Sequence, residues 1–230
     1  MKKVSFVFTL LCATLSVAAQ DSPRFAVKLY NSVNYAIAYD ASGKIHTAIQ
    51  AVNPSVAIQM RHKNPHFWSE LELSNVKLYN TSKIGYFGGT SSSLNYYVYK
   101  ERGLGLSVRY EYNYNFFKTQ HKFMPSIGLG IMPTFESVHQ TPMSNVSFSP
   151  FRVNTLGVKT YLTPRLTYNI TPRWFVEASL PINVFSGKTM QHTSYSTINN
   201  PQGKTSSNYT DRQFFPKGSL SPRLGVGFRF

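Results

Sequence analysis

Charged side chains alternate with apolar ones along much of this sequence, and their types would suit proton transfer or ion conduction. Carboxylates on the polar face could exchange protons with each other or guide an ion. Basic residues share that face, however, and buried opposite charges are stabilised by pairing. We therefore predict a salt-bridged interior network formed by Glu70, Glu72, Glu111, Glu177, Lys28, Arg61, Arg109, Lys159, Arg165 and Arg223. Glu136 and Arg229 fall on the same face.

Other residue types give no comparable signal for chemistry. The six histidines are scattered, and only His62 and His66 flank one short turn, where two ring nitrogens are too few for a metal site. The glycine pairs of Gly128-Leu129-Gly130 and Gly225-Val226-Gly227 lack the following helix of a phosphate-binding loop. The sequence therefore predicts no catalytic, cofactor-binding or metal-binding residues, and no cofactor.

The elements that position the charged residues are strands with a period of two. From Leu104 to Phe116, every even position is apolar or aromatic and every odd position is small, polar or charged. This run is longer than the roughly 9 to 11 residues that a tilted strand needs to cross a bilayer. A strand in a soluble β-sandwich is typically only about 5 to 6 residues long. The pattern thus favours a membrane-spanning strand.

The same alternation recurs in eight segments. They begin near Phe25, Val56, Phe67, Leu104, Phe123, Leu156, Trp174 and Leu220. Because lipid offers the backbone no hydrogen-bond partners, such strands must close into a barrel, and an eight-stranded barrel is just filled by its side chains. We predict an all-β, closed antiparallel transmembrane β-barrel of eight strands. Prolines inside several segments leave ten strands as the alternative; they are Pro125, Pro133, Pro164, Pro181 and Pro222.

The connections between segments alternate in length. Tight turns are expected near 63–65, 119–121 and 169–172, and long polar loops near 40–53, 80–103, 137–151 and 187–214. This is the asymmetry of short periplasmic turns and long extracellular loops. Aromatic residues gather beside the short turns, where they predict an interfacial girdle; they are Tyr114, Phe116, Phe123, Tyr168, Trp174, Phe228 and Phe230.

The first 19 residues have the features of a cleaved export signal. Lys2 and Lys3 precede a short apolar stretch that ends in small residues at Val17-Ala18-Ala19. We expect residues 20–230 to form a single barrel domain without cysteine, since Cys12 is the only one in the chain. The net charge of +15 implies an anionic neighbour. An export signal argues against nucleic acid and favours the phosphates of a membrane surface.

The last eight residues resemble the carboxy-terminal assembly signal of outer-membrane barrel proteins. Arg223, Gly225, Phe228 and Phe230 match its polar, glycine and aromatic positions in order. The whole pattern is similar to the OmpA-like and porin-like eight-stranded barrels. This resemblance implies an integral bacterial outer-membrane protein, expected to be a monomer, whose last strand is bound by the barrel-assembly machinery.

For function, the long polar loops are the best indication. Asn200-Pro201-Gln202-Gly203 suits a type I turn, so the last two strands are expected to extend outward as a hairpin, beside a strand extended by Tyr96, Tyr97 and Tyr99. We predict a structural or surface-recognition role without catalysis. The alternatives are a narrow pore for small solutes and an outer-leaflet enzyme that modifies lipid A, with His139 and His192 near loop serines. Lipopolysaccharide phosphates are expected at Lys83, Lys100, Arg102, Lys188 and Lys204.

Overall fold

The computed structural model describes residues 24–39, 45–87, 95–119, 121–143, 150–195, 204–216 and 220–230. The export signal predicted for residues 1–19 lies outside these ranges. The described chain is built of antiparallel strands, whose bounds are β1 (Phe25–Tyr39), β2 (Ile45–Arg61), β3 (Phe67–Phe87), β4 (Asn95–Asn115), β5 (Phe123–Pro142), β6 (Phe151–Asn169), β7 (Trp174–Ser179), β8 (Ile182–Tyr195), β9 (Lys204–Phe214) and β10 (Arg223–Arg229). In this part of the chain no helix is long and apolar enough to cross a membrane.

Eight of these strands close into a ring. Each strand from β1 to β7 pairs with the next, and β10 pairs with both β7 and β1. The prediction of an eight-stranded antiparallel barrel is confirmed. The closing ladder joins β1 to β10 from Ala26↔Arg229 to Ser32↔Arg223. The backbone N–H of Phe230 donates to the oxygen of Phe25 at 3.1 Å, so both described ends of the chain lie at the short-turn end of the barrel.

The count of ten strand elements has a local cause. Both β7 and β8 pair with β6, so they are two parts of one barrel strand that is interrupted at Leu180 and Pro181. The eighth barrel strand is divided in the same way into β9 and β10, and an isolated bridge joins Ile182 to Leu220 between the two breaks. Proline lacks the N–H that would continue a ladder. The ten-strand alternative therefore reflects interrupted strands, not a wider barrel.

The long connections are more regular than the sequence predicted. The β3–β4 ladder continues to Phe87↔Asn95, and the β5–β6 ladder reaches Gln140↔Phe151. The described parts of segments 80–103 and 137–151 are therefore mainly strand, not irregular loop. These segments are rich in Ser, Asn, Thr and Gly, which are also typical of loops, and the register shift between Leu73 and Asn75 interrupts the alternation of β3. The extension of β4 through Tyr96, Tyr97 and Tyr99 is confirmed, while the tips of the hairpins lie outside the described residues.

The short turns are held by side-chain hydrogen bonds. In the turn between β2 and β3, the backbone N–H of His66 donates to Oδ1 of Asn64 at 3.1 Å. In the turn between β6 and β7, the N–H of Trp174 donates to Oγ1 of Thr171 at 2.9 Å. These are the local Asx and Ser/Thr turn bonds that keep a chain reversal compact. Next to the turns, aromatic rings meet in the pairs Phe123–Tyr168, Trp174–Phe228 and Tyr114–Phe116, as the girdle prediction requires.

The two faces of the wall have opposite character. Apolar side chains point outward and are exposed around the barrel, among them Leu29, Ile58, Leu71, Leu104, Leu129, Leu162, Leu166, Val176 and Leu224. The inner face carries the buried charged side chains. A soluble protein buries its apolar face, whereas a barrel in lipid exposes it. This reversal is what a membrane-spanning wall requires.

We expect an arginine at the middle of the outer face to destabilise the barrel. Leu129, on β5, is 67% exposed, and Leu129→Arg should lower the free energy of unfolding by about 2–4 kcal/mol because a charge would enter hydrocarbon. The measurement is urea unfolding in phosphatidylcholine vesicles, followed by fluorescence of Trp68 and Trp174. Ser206→Arg, on the exposed strand β9, is the matched control and should change stability by less than about 0.5 kcal/mol. Equal effects of the two substitutions would contradict a lipid-facing wall.

Candidate functional site: a charged network across the lumen

The interior of the ring is filled by a network of ion pairs around Arg165. Its guanidinium lies 2.9 Å from Glu70 and 2.6 Å from Glu177, and it also pairs with Glu111. These carboxylates come from β3, β7 and β4, while Arg165 belongs to β6. One side chain thus joins four strands across the lumen.

Lys28 and Tyr30 of β1 complete the centre of this network. Nζ of Lys28 lies 2.7 Å from Glu70 and 2.8 Å from Glu177. The hydroxyl of Tyr30 donates to Glu177 at 2.8 Å and accepts a hydrogen bond from Nη1 of Arg165 at 2.9 Å. The carboxylates at the centre are therefore held by cations and a hydroxyl, as buried charges require.

Two further ion pairs lie beside the centre. Arg109 pairs with Glu111 and donates to Oγ1 of Thr163 at 2.6 Å. Arg223 pairs with Glu72, whose other oxygen accepts a hydrogen bond from the hydroxyl of Ser55 at 2.6 Å. With these pairs, four cations balance four carboxylates, and all eight residues are at most 5% exposed.

Cation–π contacts extend the network to aromatic rings. The guanidinium of Arg223 lies 4.6 Å from the ring centre of Tyr30, and that of Arg109 lies 4.6 Å from the ring of Tyr161. Arg229, near the short-turn end, lies 4.2 Å from the ring of Phe175. Such contacts stabilise a partly desolvated cation by about 0.5–2 kcal/mol.

Eight of the ten residues that we assigned to the network from sequence meet in it, and two do not. Arg61 lies at the short-turn end, where it donates to the carbonyl of Lys118 at 3.4 Å and contacts the ring of Trp68. Lys159 lies on β6 six residues from Arg165, toward the long-hairpin end. The structure does not bring these two residues to the network, because alternation along a strand places side chains on one face without placing them at one height.

Several residues of the network were not identified from sequence. Tyr30, Ser55, Thr163, Thr167 and Ser179 each form a hydrogen bond with one of its charged side chains. The sequence does indicate that these side chains point inward, since each residue lies an even number of positions from a charged residue on its own strand. Their partners depend on the register between strands, which a single sequence does not define.

The residues of the predicted assembly signal have separate contacts. Arg223 is held by Glu72, and Phe228 packs on Trp174 with ring centres 4.9 Å apart. Gly225 leaves room for the ring of Tyr30, which a Cβ atom at this position would meet. The backbone of Phe230 pairs with Phe25. These positions thus have structural roles at the closing seam; recognition by assembly machinery stays a prediction.

The histidines of the short turn each contact a protein oxygen. Nε2 of His62 lies 2.7 Å from the hydroxyl of Ser69, and Nδ1 of His66 lies 2.7 Å from the carbonyl of Asn115. Across the described ranges, no group of three His, Cys, Asp or Glu side chains is placed to hold a metal ion.

Comparison with solved structures agrees with this architecture. A major outer membrane protein from Thermus thermophilus superposes with a TM-score of 0.53 at 12% identity, covering 91% of this chain and 100% of the other. Neisserial surface protein A (TM-score 0.39, 15% identity, 90% and 97% coverage) and E. coli outer membrane protein W (TM-score 0.38, 15% identity, 92% and 100% coverage) are more distant. The ring of eight strands and the match to the Thermus structure show the fold of a small integral outer-membrane β-barrel of bacteria. No protein-family model and no curated protein sequence matches it.

We expect removal of the Arg165 side chain to lower the free energy of unfolding far more than removal of the Arg61 side chain. Arg165→Met leaves Glu70, Glu111 and Glu177 without their shared cation, which should lower the free energy of unfolding by about 3–5 kcal/mol. Arg61→Met makes the same chemical change outside the network and should cost about 0–1 kcal/mol. Urea unfolding in lipid vesicles measures both. Losses of the same size in the two variants would show that the network does not stabilise the barrel.

Proposed function

We propose that this chain is an integral outer-membrane protein with a structural and surface-recognition role, in which the barrel anchors strands that project from the membrane. The apolar outer face and the fold support the membrane setting. The single observation that carries the recognition role is the β8–β9 hairpin. Its ladder runs from Phe185↔Phe214 to Tyr195↔Lys204, beyond the closed part of the ring.

The surface of β9 suits contact with a partner in water. Thr205, Ser206, Ser207, Asn208 and Thr210 are all exposed, so both faces of the strand are polar. Tyr209 is 61% exposed, and an exposed tyrosine is a frequent anchor at protein interfaces. At the base of the hairpin, the exposed rings of Phe214 and Phe215 suit the boundary between lipid and water.

The free edge of β9 indicates how recognition would work. Within the described ranges, β9 pairs with β8 alone and lies at the end of the sheet. An edge strand presents unpaired N–H and C=O groups to which an extended segment of another protein can add as a further strand. We infer that the partner is an extended polypeptide segment bound by strand addition, with Tyr209 beside it.

The filled lumen supports a structural barrel over the narrow pore. The network around Arg165 leaves the charged side chains of the central lumen buried and paired. An open channel would surround such groups with water. The proposal also involves no catalytic step, since each central carboxylate is already bound by a cation.

The strand-addition proposal is tested at Asn208. The N–H of Phe215 donates to the carbonyl of Val184 at 2.9 Å, so odd-numbered amides of β9 face β8 and even-numbered amides face the free edge. Asn208→Pro therefore removes a donor from the free edge without removing one from the hairpin ladder. Asn208→Ala keeps that donor and is the matched control.

We expect cells that display the Asn208→Pro protein to lose at least about tenfold in adhesion, whereas Asn208→Ala cells keep the wild-type level. The probes are gelatin-coated glass and neighbouring cells, scored by retained cells and by aggregate size. Heat-modifiable gel migration verifies that each barrel has folded. Equal adhesion of the two variants, or of cells with and without the protein, would contradict the proposal.

A second measurement separates the structural barrel from the pore. In planar lipid bilayers under an applied voltage, the purified full chain should give no conductance steps, because the charged network fills the lumen. An open porin reconstituted in the same way is the positive control. Reproducible steps from the wild-type chain would favour the pore.

A further inference from the structure

The barrel wall separates between β2 and β3, on the side of the ring that is closer to the long hairpins. The ladder between these strands runs from Arg61↔Trp68 to Val56↔Leu73. The β1–β2 ladder nevertheless continues to Tyr39↔Ile45, and the β3–β4 ladder to Phe87↔Asn95. A strand needs about 9 to 11 residues to cross a bilayer. The separation therefore begins at a height that lies within the outer half of the membrane.

Pro54 accounts for the end of the ladder on the β2 side. The N–H of Arg61 donates to the carbonyl of Arg24 at 2.8 Å, so the odd-numbered amides of β2 face β1. The even-numbered amides face β3, in agreement with the bond from the N–H of His62 to the carbonyl of Phe67 at 3.0 Å. Pro54 occupies an even position and has no N–H to offer β3.

A bulge in β3 lies opposite. The register of β3 against β4 shifts between Leu73 and Asn75, which makes Ser74 an extra residue. The hydroxyl of Ser74 donates to the carbonyl of Ser107 on β4 at 3.1 Å. Bulges bend a strand and re-aim the side chains that follow. Pro54 and Ser74 together separate the two strands at one height.

Three lysines face the lumen beside this separation. Lys77 follows the bulge on β3, Lys159 lies on β6 and Lys188 on β8. A Cβ atom on Gly105 would lie 3.4 Å from Cβ of Lys77, and one on Gly157 would lie 3.7 Å from Cβ of Lys188. Each of these lysine stems therefore lies on the same face of the wall as the glycine beside it. Lys188 lies opposite Gly157 in the β6–β8 ladder, two residues from Lys159. On the other side, the hydroxyl of Ser74 contacts Sδ of Met132 at 3.3 Å, and Met132 lies opposite Lys159 in the β5–β6 ladder.

Two acids near these lysines already have partners, and the partner of Asp211 is Lys188 itself. Glu136 accepts a hydrogen bond from the hydroxyl of Tyr79, and Asp211 lies 3.6 Å from Lys188. In the described part of the chain, neither Lys77 nor Lys159 forms an ion pair. Lys159 is also half-buried, so its charge is only partly hydrated. A cation in this position favours an anion from outside the chain.

The outer edges of the separation are apolar. Val56 on β2 is 48% exposed, and Leu73 and Val76 on β3 are 45% and 53% exposed. Irregular backbone at membrane depth is stable only where it lines a polar cavity or is covered. A cationic interior next to an apolar exit suits a molecule with an anionic head and a hydrocarbon tail.

We propose that the outer half of this barrel binds a lipid phosphate monoester, with the phosphate at Lys77, Lys159 and Lys188 and the alkyl chain leaving between β2 and β3 into the membrane. A phosphate monoester carries a charge of about −1.5 to −2 near pH 7, so it attracts these lysines more strongly than a singly charged head group would. Lysine binds phosphate as a mobile point charge and needs no fixed geometry. This site is independent of the β9 edge, so either proposal can fail alone.

The test uses the full chain purified in dodecyl maltoside, with monododecyl phosphate as the probe in isothermal titration calorimetry. We expect saturable binding of one molecule per barrel, and Lys159→Gln should weaken the affinity at least about tenfold, the order expected for one charge-assisted contact. Lys63→Gln, in the short turn at the other end, is the matched control and should bind like the wild type. Equal affinities of the two variants would overturn the proposal.

Two further experiments test the contributions of the phosphate head and of the alkyl chain separately. Inorganic phosphate should bind at least about tenfold more weakly than the alkyl phosphate, because the chain buries apolar surface. Equal binding would make this a site for free phosphate and overturn the lipid assignment. A dodecyl phosphate with a photoreactive tail end should label β2 and β3 around Val56, Leu73 and Val76. Labelling spread evenly around the outer wall would overturn the proposed exit.

Discussion

The ion pairs of Arg165 are the interaction on which the rest of the barrel depends. Its guanidinium binds carboxylates from β3, β4 and β7 and the hydroxyl of Tyr30 on β1. Removing an ion from water costs several kcal/mol, which only close pairing can offset. The network is therefore stable in one arrangement of the strands, in which β1, β3, β4, β6 and β7 meet at one height. That arrangement places the opposite, apolar face toward lipid.

The small residues of the wall follow from this dense interior. A Cβ atom on Gly128 would meet the side chains of Glu111 and Asn113, and one on Gly227 would meet the ring of Phe175. Both glycines stand at inward positions, where large neighbours from the adjacent strand need their space. Glycine normally weakens a strand because it gives no side chain to pack. Here its absence of a side chain permits the packing of the charges and rings beside it.

The alternation of residue types correctly predicted which side chains face inward. It could not predict which of them meet, because that depends on the register between strands. The run from Leu104 to Phe116 correctly assigns inward and outward faces, because one face meets lipid and the other meets charges. Arg61 and Lys159 share the inward face but lie at other heights, which parity cannot distinguish. The extended parts of β3 and β4 were assigned to loops, because they are rich in Ser, Asn, Thr and Gly and because the bulge at Ser74 interrupts the period of two. The hairpin of β8 and β9 was found through its turn residues instead.

Proline positions divide the barrel into two halves with different physical roles. Pro181 and Pro222 interrupt the last two barrel strands, and Pro54 ends the ladder from β2 to β3. Between these residues and the short turns the ring is complete, so every strand has two neighbours and the lumen can hold paired charges without water. Above them, β9 has a free edge in the described part of the chain, and the inward lysines outnumber the carboxylates that pair with them. The closed half next to the short turns supplies stability, and both proposed binding surfaces lie in the half next to the long hairpins.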